Sequence, residues 1–205
     1  MNSGDKQTDT LSRLIVERRT RKPKNFKGAP TPNQVKKLID IARHAPNHHR
    51  TQPARFYLLD SDKIKQVARL FGEVVQGDKS SPALVERGKK KEQEWSLAPG
   101  LLIVTCHTDK DSELVKLNPD VSKEDYATCC CICQNLLLLF EAERIASKWS
   151  TGKVWEHPEF ANCVGITKPS MERVVALLFY GYSDEKIPNR PLANLSEHLR
   201  DYTSA

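Results

Sequence analysis

Residues 18–22 read Arg18-Arg19-Thr20-Arg21-Lys22, four cations in five positions around one hydroxyl. A phosphate monoester carries about −1.5 to −2 charge and three acceptor oxygens, and the arginine fork gives it charge-assisted, bidentate bonds. The same residues also suit a basic helix C-terminus, where cations complement the helix dipole. Taken alone, the pattern fits both readings.

A second polar group stands about one helix further on: His44, Asn47, His48, His49, Arg50, Thr51 and Gln52. Such a loop concentrates the side-chain donors that the carbonyl edge of a polar heterocycle needs. His44 and His48 have metal-ligand spacing only on a helix, and Pro46 between them argues against one, so no metal site is expected. A histidine-rich surface loop is the plain alternative. Four of the six cysteines crowd into positions 129, 130, 131 and 133. Cys130 and Cys133 formally make a C-x-x-C, but a redox motif belongs at a helix N-terminus and a four-ligand metal site needs a second pair. The cysteines therefore read as small apolar residues on a buried helix. No Ser-His-Asp or Cys-His signature is present, and no catalytic side chain is named.

The elements that must position these groups follow from periodicity and punctuation. Leu11, Leu14 and Ile15 give a short helical stripe ending at the arginines. Thr31-Pro32-Asn33-Gln34 is a capping box with proline at the first helical position, and Val35, Leu38, Ile39 and Ala42 continue that helix until Pro46. The histidine-bearing segment is then a loop leading into a strand at 55–59. Helices are expected at 62–75 and 82–94, an interior strand at 101–106, and a buried helix of about 25 residues from Ser122 to Ala146. A short strand at 148–150, a loop or one-turn helix near 157–160 and an interior strand at 174–181 complete the pattern.

A chain of 205 residues with 39% hydrophobic residues can bury one sizeable core. Residues 1–9 read as a flexible N-terminus and 10–205 as a single domain, whose tail from about 182 either wraps a neighbour or frays. The apolar tract 127–140, interrupted by Gln134 and Asn135, is shorter than the roughly 20 residues of a membrane span. Without a signal-peptide pattern, free cysteines suggest a cytoplasmic protein, and no membrane partner is expected. The net charge of +6 permits any anionic partner. The densest basic run, residues 87–91, is flanked by Glu86, Glu92 and Glu94 and lacks interleaved aromatics; it reads as a solvated helix face, with no nucleic-acid partner.

The motifs in order make a stronger pattern than any one of them. An Arg-Arg-Thr element after the first helix is followed by Ala45-Pro46-Asn47-His48, then Gln52-Pro53 and a strand, a long buried helix, and Trp149-Ser150-Thr151-Gly152. This resembles the nitroreductase family, most closely its compact single-domain members, from about Leu11 to Gly181. The resemblance implies an α+β fold, a three-layer α/β/α sandwich with a mixed, mainly antiparallel sheet, and an intertwined homodimer with two clefts for flavin mononucleotide (FMN). It implies that Arg18, Arg19 and Thr20 bind the flavin, joined by His44, that His48 reaches the flavin of the other subunit, and that Trp149, Ser150 and Thr151 line it. Lys186 or Arg190 is a further candidate for the phosphate.

The resemblance also implies NADH or NADPH as electron donor, contacting Leu139, Phe140, Glu141, Ala142, Glu143 and Arg144, with Leu139 and Phe140 equally explained as core. The acceptor would be a small-molecule electrophile such as a nitroaromatic or quinone, with the flavin as reactive group and nearby cations stabilising charge at its N1/O2 edge. Ala54 stands where the family often has an aromatic, which leaves extra room beside the loop. The rivals are other flavin chemistry such as reductive dehalogenation, a non-catalytic basic binding module, and a cysteine-based metal or redox protein.

Overall fold

The computed structural model describes residues 3–188 and 190–203. Positions 1, 2, 204 and 205 of the expected loose terminus and tail lie outside the described residues, as does Asn189.

Four strands, β1 (Ala54–Leu59), β2 (Leu101–His107), β3 (Ala146–Ser150) and β4 (Glu172–Gly181), form one sheet in the order β1-β2-β4-β3. Every pair is antiparallel. Among the described residues a single parallel bridge, Thr20 to Ser147, adds to the β3 edge and carries the mixed character expected of the sheet. Successive side chains on a strand point to opposite faces. Leu102, Val104, Ala176, Leu178 and Tyr180 accordingly pack on one side with α2 (Pro32–Ala42) and α6 (Val121–Ala142). Leu101, Ile103, Leu177 and Phe179 pack on the other with α3 (Ser61–Gln76), α4 (Pro82–Ser96) and α7 (Phe160–Val164). The central strands are apolar on both faces because both are covered, which gives the three-layer sandwich.

The capping box forms as expected: the Thr31 hydroxyl accepts from the Gln34 amide while the Gln34 side chain accepts from the Thr31 N–H. In the second layer α3 and α4 cross closely because Gly88 meets Gly72; a Cβ on Gly88 would sit 2.6 Å from the Gly72 carbonyl oxygen and 2.3 Å from Gln76 Cγ. Phe71, Trp95 and Phe179 form an aromatic column there, with ring centroids 3.8 and 4.8 Å apart.

Three elements differ from expectation. Helix α1 spans Ser3–Glu17 and so reaches into the segment expected to be loose. Local bonds hold it, Thr10 to the Lys6 carbonyl and Arg13 to Glu17, while Leu11, Ile15 and Val16 stay more than half exposed. Helix α6 ends at Ala142, short of Ala146, because Arg144 takes a left-handed φ of 57° and turns the chain into β3. A short helix α5 (Glu113–Leu117), capped by the Ser112 hydroxyl, was not among the expected elements. Among the described residues no helix is long and apolar enough to cross a membrane.

Candidate functional site

The basic motif is fastened to the sheet edge. Thr20 bridges Ser147, and the Arg21 amide donates to the Ser147 carbonyl at 3.1 Å. The Arg21 guanidinium donates to Glu141 at the end of α6 at 3.1 Å, and both side chains are mostly buried. Arg19 donates to the carbonyls of Val16, Arg18 and Pro188, so it ties the motif to the tail. Arg18, half-buried beside it, has no side-chain hydrogen bond or ion pair among the described residues. Residues 182–188 run back along this same segment: Tyr182 pairs with Gly28 and Lys27, and Glu185 receives Arg21 and Asn25. The start of the tail therefore covers its own chain. Lys186 and Arg190 are exposed.

Beyond this edge, on the α4 side, lies a cavity of about 500 Å³ lined by Lys22, Lys24, Lys90, Lys91, Glu94 and Lys148 among others. Lys148 points to that side because its cross-strand partner is Phe179. Glu94 accepts from Lys91 at 2.7 Å and lies 3.5 Å from Lys148. Burial pushes its carboxyl pKa up, but the two ammonium groups outweigh that and hold it below the usual range. One acid among five lysines leaves a strongly cationic cavity. Sequence reading missed Lys90, Lys91 and Lys148, since residues 87–91 read as a solvated face; the packing of α4 against the turn at Pro23–Asn25, a tertiary fact, brings them beside Lys22.

Trp149 is half-buried and faces α6 opposite Leu178. Its indole Nε1 and the Ser147 hydroxyl are both buried without a hydrogen-bond partner. Ser150 is buried and Thr151 exposed. Thr151 opens on a different cavity of about 460 Å³, with Trp155, Glu172 and Arg173. Within the expected dinucleotide segment, Phe140 is fully buried and stacked on Tyr180 with centroids 5.4 Å apart, so it offers no surface to a ligand and belongs to the core. Leu139 packs on the same core, Glu141 is held by Arg21, and Ala142, Glu143 and Arg144 are exposed.

The loop after α2 sits at the far end of α6. Thr128 donates to the Pro46 carbonyl at 2.9 Å, whereas Arg21 grips Glu141; the two points are about 20 Å apart at 1.5 Å per residue. His44 is exposed beside a cavity of about 370 Å³ with Arg43, Asn47, Gln52, Arg55 and Phe56, into which the small Ala54 leaves room. Asn47 bonds Thr51 and the Gln52 amide, and Thr51 donates to the buried Asp125. Arg50 and Gln52 both have left-handed φ, 52° and 48°. His48 does not join His44; its ring lies edge-on to His49 at 4.4 Å, and His49 faces Glu124.

All six cysteines are free thiols. Cys106, Cys129 and Cys133 are buried, Cys130 half-buried and Cys131 exposed. Burial pushes the Cys133 thiol pKa up, which keeps it protonated.

The molecule is thus a three-layer sandwich with a cationic cleft at the β3 edge of its sheet. A family model described as "Nitroreductase family" matches residues 15–182, and the chain belongs to that family. It is 29% identical over 182 residues to "Putative NAD(P)H nitroreductase YfhC" of Bacillus subtilis, covering 87% of each chain. Among solved structures it superposes on a nitroreductase-like family protein of Bacillus cereus with a TM-score of 0.76 at 23% identity, covering 95% of this chain and 96% of that one. The FMN-dependent nitroreductase NfnB of Mycobacterium smegmatis, solved with NADPH, gives a TM-score of 0.68 at 16% identity over 95% and 99% of the two chains. At these identities the structural likeness is one of fold.

Proposed function

We propose that this protein is an FMN-dependent oxidoreductase that takes reducing equivalents from NADH or NADPH and passes them to small electrophiles such as nitroaromatics or quinones. The observation that carries the reading is the Thr20–Ser147 bridge, which sets the basic motif on the strand leading into Trp149, Ser150 and Thr151. The names of YfhC and NfnB support the donor and the flavin.

The residues present fit such a cofactor. A phosphate of about −1.5 to −2 charge suits the free Arg18 guanidinium or the lysine cavity on the α4 side, whereas the orphaned Trp149 Nε1 and Ser147 hydroxyl are donors on the opposite, α6 face of β3. When bound, flavin supplies hydride transfer at its N5 position. The chain's own part is binding and electrostatics. Arg18 and Thr20 would hold the phosphate and ribityl chain. Arg21, neutralised by Glu141, fixes the motif without competing for that charge. Lys22 and Lys148 would stabilise negative charge developing at the ring edge, while Glu94 limits the field by pairing two of the lysines.

The loop runs from Ala42, whose carbonyl accepts from Asn135 about 9 Å along α6 from Glu141, to Pro46 at Thr128, about 20 Å away. A second chain whose loop reached this cleft would complete it, and membership of the nitroreductase family supports such a homodimer. The exposed apolar residues of α1 give such a partner something to cover.

The test is the visible spectrum of purified protein after addition of FMN and removal of the excess, followed by anaerobic NADH or NADPH. Retained flavin that one dinucleotide bleaches is expected, with loss of retention in Arg18→Ala. A colourless wild-type protein would overturn the reading.

A further inference from the structure

We infer that His48, His49 and Glu124 form a binding site for a divalent cation of the zinc class. One ligand atom from each lies within 4.8 Å of the others. Two come from adjacent loop positions and the third from the first turn of α6, so the cluster is tertiary and no sequence spacing announces it.

Three observations separate it from an ordinary ion pair. His49 Nε2 and Glu124 Oε2 are both sealed from solvent and neither has a hydrogen-bond partner. They face each other at 3.4 Å, longer than the 2.7–2.9 Å of a good charge-assisted bond. Two ligands at about 2.0–2.1 Å from a tetrahedral zinc ion lie roughly 3.3–3.4 Å apart, so the spacing is that of two atoms sharing a metal. The third is the effort spent on holding the loop: Arg50 and Gln52 are both left-handed, and Asn47, Thr51 and Asp125 lock them with side-chain bonds. Strained backbone persists where its surroundings fix it, and such places cluster at ligand sites.

Charge and ligand type agree. Glu124 supplies one negative charge, and buried Asp125 stands behind it, bonded to Thr51 and Thr108. Two neutral imidazoles and a carboxylate suit zinc, cobalt or nickel over calcium or magnesium, which prefer all-oxygen shells. Three protein ligands leave a fourth position for water. His48 is exposed, and its ring is free to turn towards the ion. This assignment gives His48 to the ion and leaves His44 and Asn47 as the loop's donors towards a neighbouring cleft. It lies about 25 Å along α6 from Glu141 and does not depend on the flavin reading.

The test uses the untagged full-length chain, stripped of metal by chelator and free of flavin, titrated with Co2+ and then competed with Zn2+. The expected result is one Co2+ per chain with the visible bands of a four-coordinate nitrogen and oxygen site, bleached by Zn2+. His49→Ala and Glu124→Gln should each weaken uptake beyond the ~10–100-fold that outer-shell partners contribute. Both variants are to be checked for unchanged circular dichroism, and wild-type stoichiometry stands as a test without them. No uptake by the wild type, uptake undiminished in folded His49→Ala, or a spectrum with thiolate charge-transfer bands that places the ion on the cysteines would each overturn the site.

Discussion

Gly152 is the position where the cleft and the second layer meet, and replacing it with alanine gives a magnitude that can be worked from distances. Its φ is not left-handed, unlike that of Gly28, Gly77 and Gly165, so the backbone itself accepts alanine. The added Cβ, however, would stand 2.7 and 2.9 Å from two ring carbons of Phe71 and 3.1 Å from Trp95 Cη2. Phe71 has little room to retreat, because its ring is stacked on Trp95, which is 1% exposed and packs in turn on Phe179. Overpacking of this kind costs about 1–3 kcal/mol. The lower entropy of the unfolded chain returns about 0.4–1 kcal/mol. Taking the middle of each range, the net loss is about 1.3 kcal/mol, a fall in Tm of about 3–5 °C for a chain of this size. Thermal unfolding of flavin-free protein followed by circular dichroism reads it directly. If the ring contact is the cause, Phe71→Leu should absorb much of the penalty, so the two changes will not add. A Tm equal to or above that of the wild type, or strict additivity with Phe71→Leu, would refute the steric argument.

Arg18→Ala should weaken FMN binding about 10- to 100-fold, the equivalent of a charged hydrogen bond of about 1.5–3 kcal/mol, while leaving the unfolding midpoint unchanged; fluorescence titration and urea melts check the two halves. Gly88→Ala should destabilise by at least about 1–3 kcal/mol, because helix backbone stands 2.6 Å from the new Cβ, and urea denaturation measures it. Burial pushes the Tyr180 phenol up to about 12. Its raised pKa contributes stability that is whole below about pH 10, the unfolded value, and is lost as pH rises towards 12. Tyr180→Phe should therefore flatten the fall in urea midpoint across that window, and an unchanged slope would count against the burial argument.

What was legible beforehand divides by range. The capping box at Thr31, the boundaries of β1 and β2, and the doubly apolar central strands are local or periodic, and they appear within a residue or two of expectation. The order of the motifs was enough for the family and the cofactor. The end of α6 was not legible, because Glu143-Arg144-Ile145 has no glycine or proline to mark a stop; Arg144 adopts the left-handed turn because β4 captures Ala146 and Ser147. The lysine cavity was hidden for a similar reason. Lys22, Lys91 and Lys148 belong to three elements far apart in the chain, and charge runs alone read as solvated surface. The cluster of His48, His49 and Glu124 was missed because the reading weighed His44 with His48 along the chain, whereas the third ligand comes from α6.

Along α6 the Arg21 contact at Glu141 and the loop contact at Thr128 stand about 20 Å apart, and in a dimer this has a genetic meaning. In a dimer with shared clefts, a chain lacking Arg18 and a chain lacking His44 are each defective in both clefts when paired with themselves. Paired with each other, they place both lesions in one cleft and leave the other whole. Assorting at random, half the dimers would be mixed with one whole cleft each, so two inactive alleles would complement to about a quarter of wild-type activity, and a single defective allele would be diluted by its healthy partner without poisoning it.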